Sequence, residues 1–161
     1  EIKKIILDYQ SRTSVQLVKI LAREYWNINP EWTEGKEGYE KQISGRAAGV
    51  VIGDRALTME GKFNFSFDLS AEWKKFTGLP FAFACWVTTK KLPDEIIYQF
   101  NEAIIYGMKK KEEFVNELSL EPVNGVDMGE YLLQNISYEF DKHKKQALDL
   151  FLSSIYSKSG V

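Results

Sequence analysis

Cysteine and histidine are nearly absent, with Cys85 and His143 the only examples in 161 residues. A lone thiol cannot close an internal disulfide, and without a Cys/His cluster no zinc-ligand spacing exists, so no metal is expected. Low cysteine use fits a reducing, cytoplasmic setting. Long apolar runs are also missing. None approaches the roughly 20 residues that cross a bilayer, and no signal-peptide pattern is visible, so no membrane partner is expected. Neither sign of charge dominates: 21 basic residues face 23 acidic ones, for a net charge of -2 and an isoelectric point near 5.6. That balance excludes the broad basic field that draws nucleic acid, and an anionic ligand would have to be held by local groups. No cofactor motif is present. What the chain does have is 44% apolar and 27% charged residues, enough for a folded domain of one or two lobes with a sizeable core.

The N-terminal half reads as mixed α/β. Ile5-Ile6-Leu7 is a short β-like run, and Leu17, Val18, Leu21 and Tyr25 recur at helical spacing until Asn27 to Pro30 stop the helix. The stretch from Glu31 to Arg46 is polar and glycine-rich, with Tyr39 and Ile43 anchoring a short helix. Ala47 to Ile52 then forms a second strand, so strand, helix and strand predict a βαβ crossover with the two strands parallel. Phe63, Phe65 and Phe67 alternate with polar residues as a half-buried strand does. Asp68 or Ser70 caps a helix carrying Trp73 and Phe76, ended by Gly78 and Pro80, and Phe81 to Val87 is predicted to be a buried strand. Trp73, Cys85 and Trp86 are placed in the core, with Trp86 keeping a second role as a pocket wall.

Beyond Val87 the pattern turns helical. Pro93 starts a helix bearing Ile96, Ile97, Phe100, Ala103 and Ile104, broken at Gly107, and Phe114, Val115 and Leu118 mark a shorter one. Asp127 and Glu130 form a capping box for a helix with Leu132, Leu133 and Ile136. Asp141 caps the last helix, whose stripe is Leu148, Phe151, Leu152 and Ile155, ending near Gly160. No internal repeat or low-complexity linker is present, and Leu79 to Trp86 is the best place for a lobe boundary.

Chemistry concentrates where the first strand turns into the first helix. Ser11, Arg12, Thr13 and Ser14 bring small hydroxyls, one guanidinium and unpaired helix-terminal N–H groups to one place, the makings of a seat for a carboxylate or phosphate. By themselves these residues read first as an ordinary N-cap, Thr13 or Ser14, with Arg12 a solvated charge. Gly53 and Asp54 follow the end of the second strand. Because ligands of parallel sheets bind beyond the carboxyl ends of strands, both loops are expected to face one crevice. Asp54 either caps the next turn or orients a substrate hydroxyl, and Asp8 orders its loop by accepting backbone N–H bonds. His143, among Lys142, Lys144 and Lys145, reads as solvated, as do Lys109 to Lys111 beside Glu112 and Glu113.

These residues resemble a known family. Leu7-Asp8, Ser11-Arg12-Thr13-Ser14-Val15, Leu17, Ile52-Gly53-Asp54, Ala56-Leu57, Asp68-Leu69, Trp73, Thr77-Gly78-Leu79-Pro80-Phe81, Phe83-Ala84 and Trp86 are similar, in order and spacing, to the chorismate dehydratases of the futalosine route to menaquinone. The match runs in register over residues 3–87, with a weaker echo in Tyr131-Leu132, Ile136, Tyr138, Phe151 and Gly160. The resemblance implies a type II periplasmic-binding-protein-like fold of two α/β lobes, cytoplasmic, with chorismate, a small anionic molecule, in the cleft. It also implies a substantial N-terminal segment ahead of Glu1, so residues 1–78 would be the second lobe and 79–161 the returning strand and helices of the first. Such a fragment alone is expected to be poorly stable and inactive.

The same resemblance makes the chain a carbon–oxygen lyase forming 3-[(1-carboxyvinyl)oxy]benzoate, with Ser11, Arg12, Thr13, Ser14 and Gly53 binding the substrate and Asp54 as the catalytic group. A homodimer stays open. The sister family, which makes 1,4-dihydroxy-6-naphthoate, has a histidine followed by an acid where this chain has Gly53-Asp54, and Thr-Ala where it has Thr13-Ser14. A solute-binding module that seats a small carboxylate without chemistry is the alternative from another class.

Overall fold

The computed structural model describes residues 1–156 apart from Glu60, Ser119 and Asn124. Its centre is β1 (Lys4–Leu7), whose residues Ile5, Ile6 and Leu7 are buried. β1 lies between β2 (Glu31–Glu34) and β3 (Ala47–Gly49), both parallel to it, with Ile5 opposite Trp32 on one side and Ala48 on the other. A strand buried on both faces and hydrogen-bonded on both edges has no use for polar side chains, which is why this apolar run occupies the middle. The predicted parallel pairing of the first strand with Ala47 onward is present, although β3 stops at Gly49.

β2 is the element that patterning missed. Its sequence, Glu-Trp-Thr-Glu, looks like a polar connection, yet an edge strand needs only a neighbour for its backbone, and β1 supplies one. The pairing is extended at both ends, where Glu31 N donates to Lys3 O at 2.8 Å and Gly35 N to Leu7 O at 2.8 Å. Gly35 is required there: a Cβ would stand 2.6 Å from Leu7 O and 2.9 Å from the Tyr39 ring. Tyr39 opens a 3₁₀ turn, Tyr39–Gln42, and is almost wholly buried, so the anchoring role expected of it is present.

α1 (Arg12–Glu24) covers the sheet. Leu17, Val18, Ile20 and Leu21 recur at helical spacing and are all buried. Val18 joins Ile5, Leu7 and Val50 in one apolar cluster against the sheet, while Leu17, Ile20 and Leu21 pack with Trp73 and Phe151 in a second. Trp73 comes from α3 (Leu69–Thr77), capped by Asp68, which accepts from Ser70 N at 2.7 Å and Ala71 N at 3.1 Å, and ended by Gly78 at φ 74°. Phe151 comes from the C-terminal helix (Lys142–Tyr156), where Asp141 accepts from Lys144 N at 2.9 Å as its sequence position suggests. Along that helix Leu148 and Ile155 are half-buried, whereas Leu152 faces out. The stop expected near Gly160 lies outside the described residues.

Two expected strands do not form. The Phe63–Phe67 region and the run from Phe81 to Val87 are irregular, with Phe65, Phe67, Phe83, Trp86 and Val87 all more than half exposed. Cys85 is exposed as well, and neither it nor Trp86 is in the core. Alternation and apolarity make a segment suitable for a sheet, but a strand exists only where a neighbour takes its backbone groups. Among the described residues none pairs with these two. Phe67 and Phe81 instead pack by their rings alone, Phe67 on Trp26 at 6.0 Å and Phe81 on Trp73 at 5.6 Å.

The chain divides into two compact units, one of Glu1–Phe83 with the chain from Asp141 onward, the other of Ala84–Phe140. The second is helical. In it α4 (Asp94–Lys109) runs through Gly107 instead of breaking there, and the ladder continues to Lys110, whose N–H donates to Tyr106 O at 3.2 Å. α5 (Lys111–Leu118) follows at once, and Lys111 Nζ donates to Leu132 O at 3.2 Å. Asp127 caps the next helix, with Glu130 N on its Oδ1 at 2.8 Å, although that helix holds only three residues before a π-helical turn, Tyr131–Asn135. Among the described residues no helix is long and apolar enough to cross a membrane.

Candidate functional site

Two loops leave the carboxyl ends of β1 and β3, and between them is an open surface depression of about 330 Å³ lined by Tyr9, Gln10, Ile52, Gly53, Asp54 and Arg55. The first loop runs directly into α1. Ser11 is its N-cap, with extended backbone at φ -123° and ψ 118°, and its Oγ accepts from Ser14 N at 3.0 Å. The cap is therefore two residues earlier than Thr13 and three earlier than Ser14, and Arg12, Thr13 and Ser14 form the first helical turn. A helix leaves its first N–H groups without partners. Ser11 takes that of Ser14, and among the described residues no acceptor meets those of Arg12 and Thr13. Ser14 is buried, Thr13 half-buried, and Arg12 exposed. None of Ser11 to Ser14 lines the depression, which they adjoin through Gln10.

The second loop brings the other expected pair. Gly53 has φ 61° and ψ -150°, a backbone state that side chains avoid, and it turns the chain from β3 into α2 (Asp54–Leu57). Gly53 and Asp54 are exposed on the rim of the depression. The structure thus brings Gly53 and Asp54 to the same depression as the residues that immediately precede Ser11.

Beneath the rim is a network that the sequence only hinted at. Asp8 has a fully buried carboxylate at the end of β1. Its Oδ1 accepts from Gln10 N at 2.7 Å, the loop-ordering bond expected of it. Its Oδ2 accepts from Tyr39 Oη–H at 2.9 Å and from Arg55 Nη2 at 2.7 Å. Tyr39 Oη also contacts the Val50 carbonyl oxygen. Burial, the bond to Asp8 and that carboxylate's charge together push the Tyr39 phenol well above its usual range, so it stays protonated as a donor. Arg55 further donates through Nη1 to Glu40 at 2.6 Å and through Nη2 to Gln10 Oε1 at 3.0 Å, and it stands 5.2 Å from the Tyr9 ring centroid and 5.9 Å from that of Tyr39. Partial burial works against its charge, but the Glu40 bond and the Asp8 field outweigh this and raise its pKa.

Sequence reasoning gave Arg55 and Glu40 no role and read Tyr39 only as the anchor of a short helix. The available signal was position: Arg55 follows Gly53 and Asp54 at the end of a strand expected beside β1, where Asp8 needs a counter-charge.

The electrostatics follow from the count of charges. One guanidinium faces two carboxylates, so Arg55 has no charge to spare for an incoming anion. Positive potential at this end of the sheet comes instead from the free amides of the α1 N-terminus and from Arg12, which enters no ion pair among the described residues. Among the described residues no group of three His, Cys, Asp or Glu side chains could hold a metal ion, and His143 is exposed on the C-terminal helix.

Comparison with known proteins gives two findings. The profile of a family described as menaquinone biosynthesis matches residues 1–157. A chorismate dehydratase from Thermus thermophilus is 25% identical over 176 residues, an alignment covering 94% of this chain and 62% of the relative. The chain thus spans about three fifths of that relative's length.

Proposed function

The chain belongs to the menaquinone-biosynthesis family, and from that membership we propose that it acts in the futalosine route as a chorismate dehydratase, forming 3-[(1-carboxyvinyl)oxy]benzoate in the cytoplasm. The observation that carries the reading is the depression at the carboxyl ends of two parallel strands, shared by the loop that enters α1 and the loop of Gly53 and Asp54. The distant likeness to a chorismate dehydratase supports the same substrate. Within this reading the fold is the type II periplasmic-binding-protein-like one, with residues 1–78 in one lobe and 79–161 returning to the other.

Chorismate carries two carboxylates and a ring hydroxyl. Loss of that hydroxyl, together with the proton on the ether-bearing carbon, releases one water and leaves an aromatic ring, so ring resonance drives the reaction. The protein's task is to bind and orient. One carboxylate docks at the start of α1, on the amides of Arg12 and Thr13 and the hydroxyls of Ser11 and Thr13, with Arg12 adding charge. Ser11 can serve because its oxygen is the cap acceptor while its O–H remains free to donate. Ser14, whose amide the cap holds, shapes the turn from its buried position. Gly53 lets the backbone come close, and Asp54 orients the seat or the departing hydroxyl.

The experiment is incubation of the complete protein with chorismate while the aromatic product is followed by absorbance and chromatography. Product formation that falls about tenfold or more in Thr13→Ala, through weaker substrate binding, supports the assignment. Chorismate binding without any product would favour a carboxylate-binding module, and no binding would overturn the reading.

A further inference from the structure

Arg55 holds a position that the reaction as described does not use. Its guanidinium reaches the end of β1 through Asp8, the loop into α1 through Gln10 and the Tyr9 ring, and the 3₁₀ turn through Glu40 and the Tyr39 ring. It does this from the second residue of α2, next to Asp54. α2 has little else to hold it: four residues, and a glycine N-cap without a side-chain bond. A helix that short is not stable by its own hydrogen bonds. Where Asp54 stands relative to the start of α1 is therefore decided by whatever ties α2 to the first loop, and among the described residues the guanidinium makes both polar side-chain contacts between those two segments.

We infer that Arg55 is a positioning residue, a clamp whose planar fork sets the spacing between Asp54 and the α1 N-terminus. A fork is needed because Glu40 and Asp8 are met by different nitrogens, Nη1 and Nη2, at 2.6 and 2.7 Å. A lysine ammonium offers one point charge and cannot span both in that geometry. The inference rests on the dehydratase reading for its kinetic consequence but not for its structural one.

The test compares Arg55→Ala and Arg55→Lys with wild type in the complete protein, by steady-state kinetics with chorismate and by amide hydrogen exchange. Arg55→Ala is expected to lower kcat by about a hundredfold, as misplacement of reacting groups by about 1 Å does, while KM moves less than about threefold. Arg55→Lys should fall between the two. Exchange should rise in residues 9–14 and 52–58 together and stay unchanged in 69–77. Wild-type kcat in Arg55→Ala, or faster exchange confined to 52–58, would overturn the inference. Should Arg55→Ala fail to fold, Arg55→Lys decides by the same two readouts. If wild type makes no aromatic product, the dehydratase reading falls, and the exchange pattern alone decides the role of Arg55.

Discussion

Replacing Asp8 by asparagine keeps the shape of the side chain and removes its charge, so the cost can be followed donor by donor. Asp8 receives three donors: Gln10 N, Tyr39 Oη–H and Arg55 Nη2. The best asparagine rotamer leaves its carbonyl on Gln10 N and points its amide at the other two. Tyr39 can accept from that amide by turning its own hydrogen toward the Val50 carbonyl it already contacts. Arg55 has no such escape, since a guanidinium accepts nothing. One charge-assisted bond is thus lost and one donor is left facing a donor, at a site where the aspartate side chain is fully buried and that of Arg55 29% exposed.

Losing a bond to a charged group costs about 1.5–3 kcal/mol, so Asp8→Asn should destabilise by about 2–3 kcal/mol. Asp8→Ala strips all three donors of their acceptor and should cost about 3–5 kcal/mol. Urea unfolding followed by tryptophan fluorescence measures both, with the slope against urea unchanged. The reasoning is refuted if Asp8→Asn lies within about 0.5 kcal/mol of wild type, or if Asp8→Asn is the more damaging of the two.

Leu17 is wholly buried between two aromatic side chains' helices and α1 itself, so Leu17→Ala should cost about 3–5 kcal/mol in the same unfolding experiment. Ser11→Ala removes the acceptor for Ser14 N and should cost about 1 kcal/mol, recovered for the most part by Ser11→Asp, as thermal melts would show. The Glu72 carboxyl is held below its usual range by its bond to Lys75 and by the Trp26 indole N–H. Its contribution is therefore complete above the ordinary carboxylate pKa and disappears as pH falls through the lowered one. Stability measured against pH should lose part of that acid limb in Glu72→Gln, and an unchanged limb would contradict the assignment.

How far the sequence could be read differs from element to element. Helix limits set by side chains within a few residues were legible: Asp68, Gly78, Asp127 and Asp141 do what their positions suggest. So was the parallel relation of β1 and β3, which follows from the order strand, helix, strand. Strands were read less well, in both directions. Glu31–Glu34 is a strand without the pattern, and Phe81 to Val87 has the pattern without a strand. At the site, the two loops were found by the rule for parallel sheets, whereas the clamp beneath them joins positions 31 and 47 residues apart, a distance no local pattern crosses.

Taken alone, the order of residues determined what the chain can settle with near neighbours: caps, helical stripes, the turn that offers free amides at the start of α1, and the family to which the whole belongs. Folding in three dimensions decided the rest, namely which strands find a partner, that Ser11 rather than Thr13 caps α1, and that Arg55 is spent on Asp8 and Glu40 instead of a ligand. The division has one physical cause. A cap or an amphipathic face is satisfied within a turn or two of chain, while a strand's backbone and a buried charge are satisfied only by groups that the fold carries in from elsewhere.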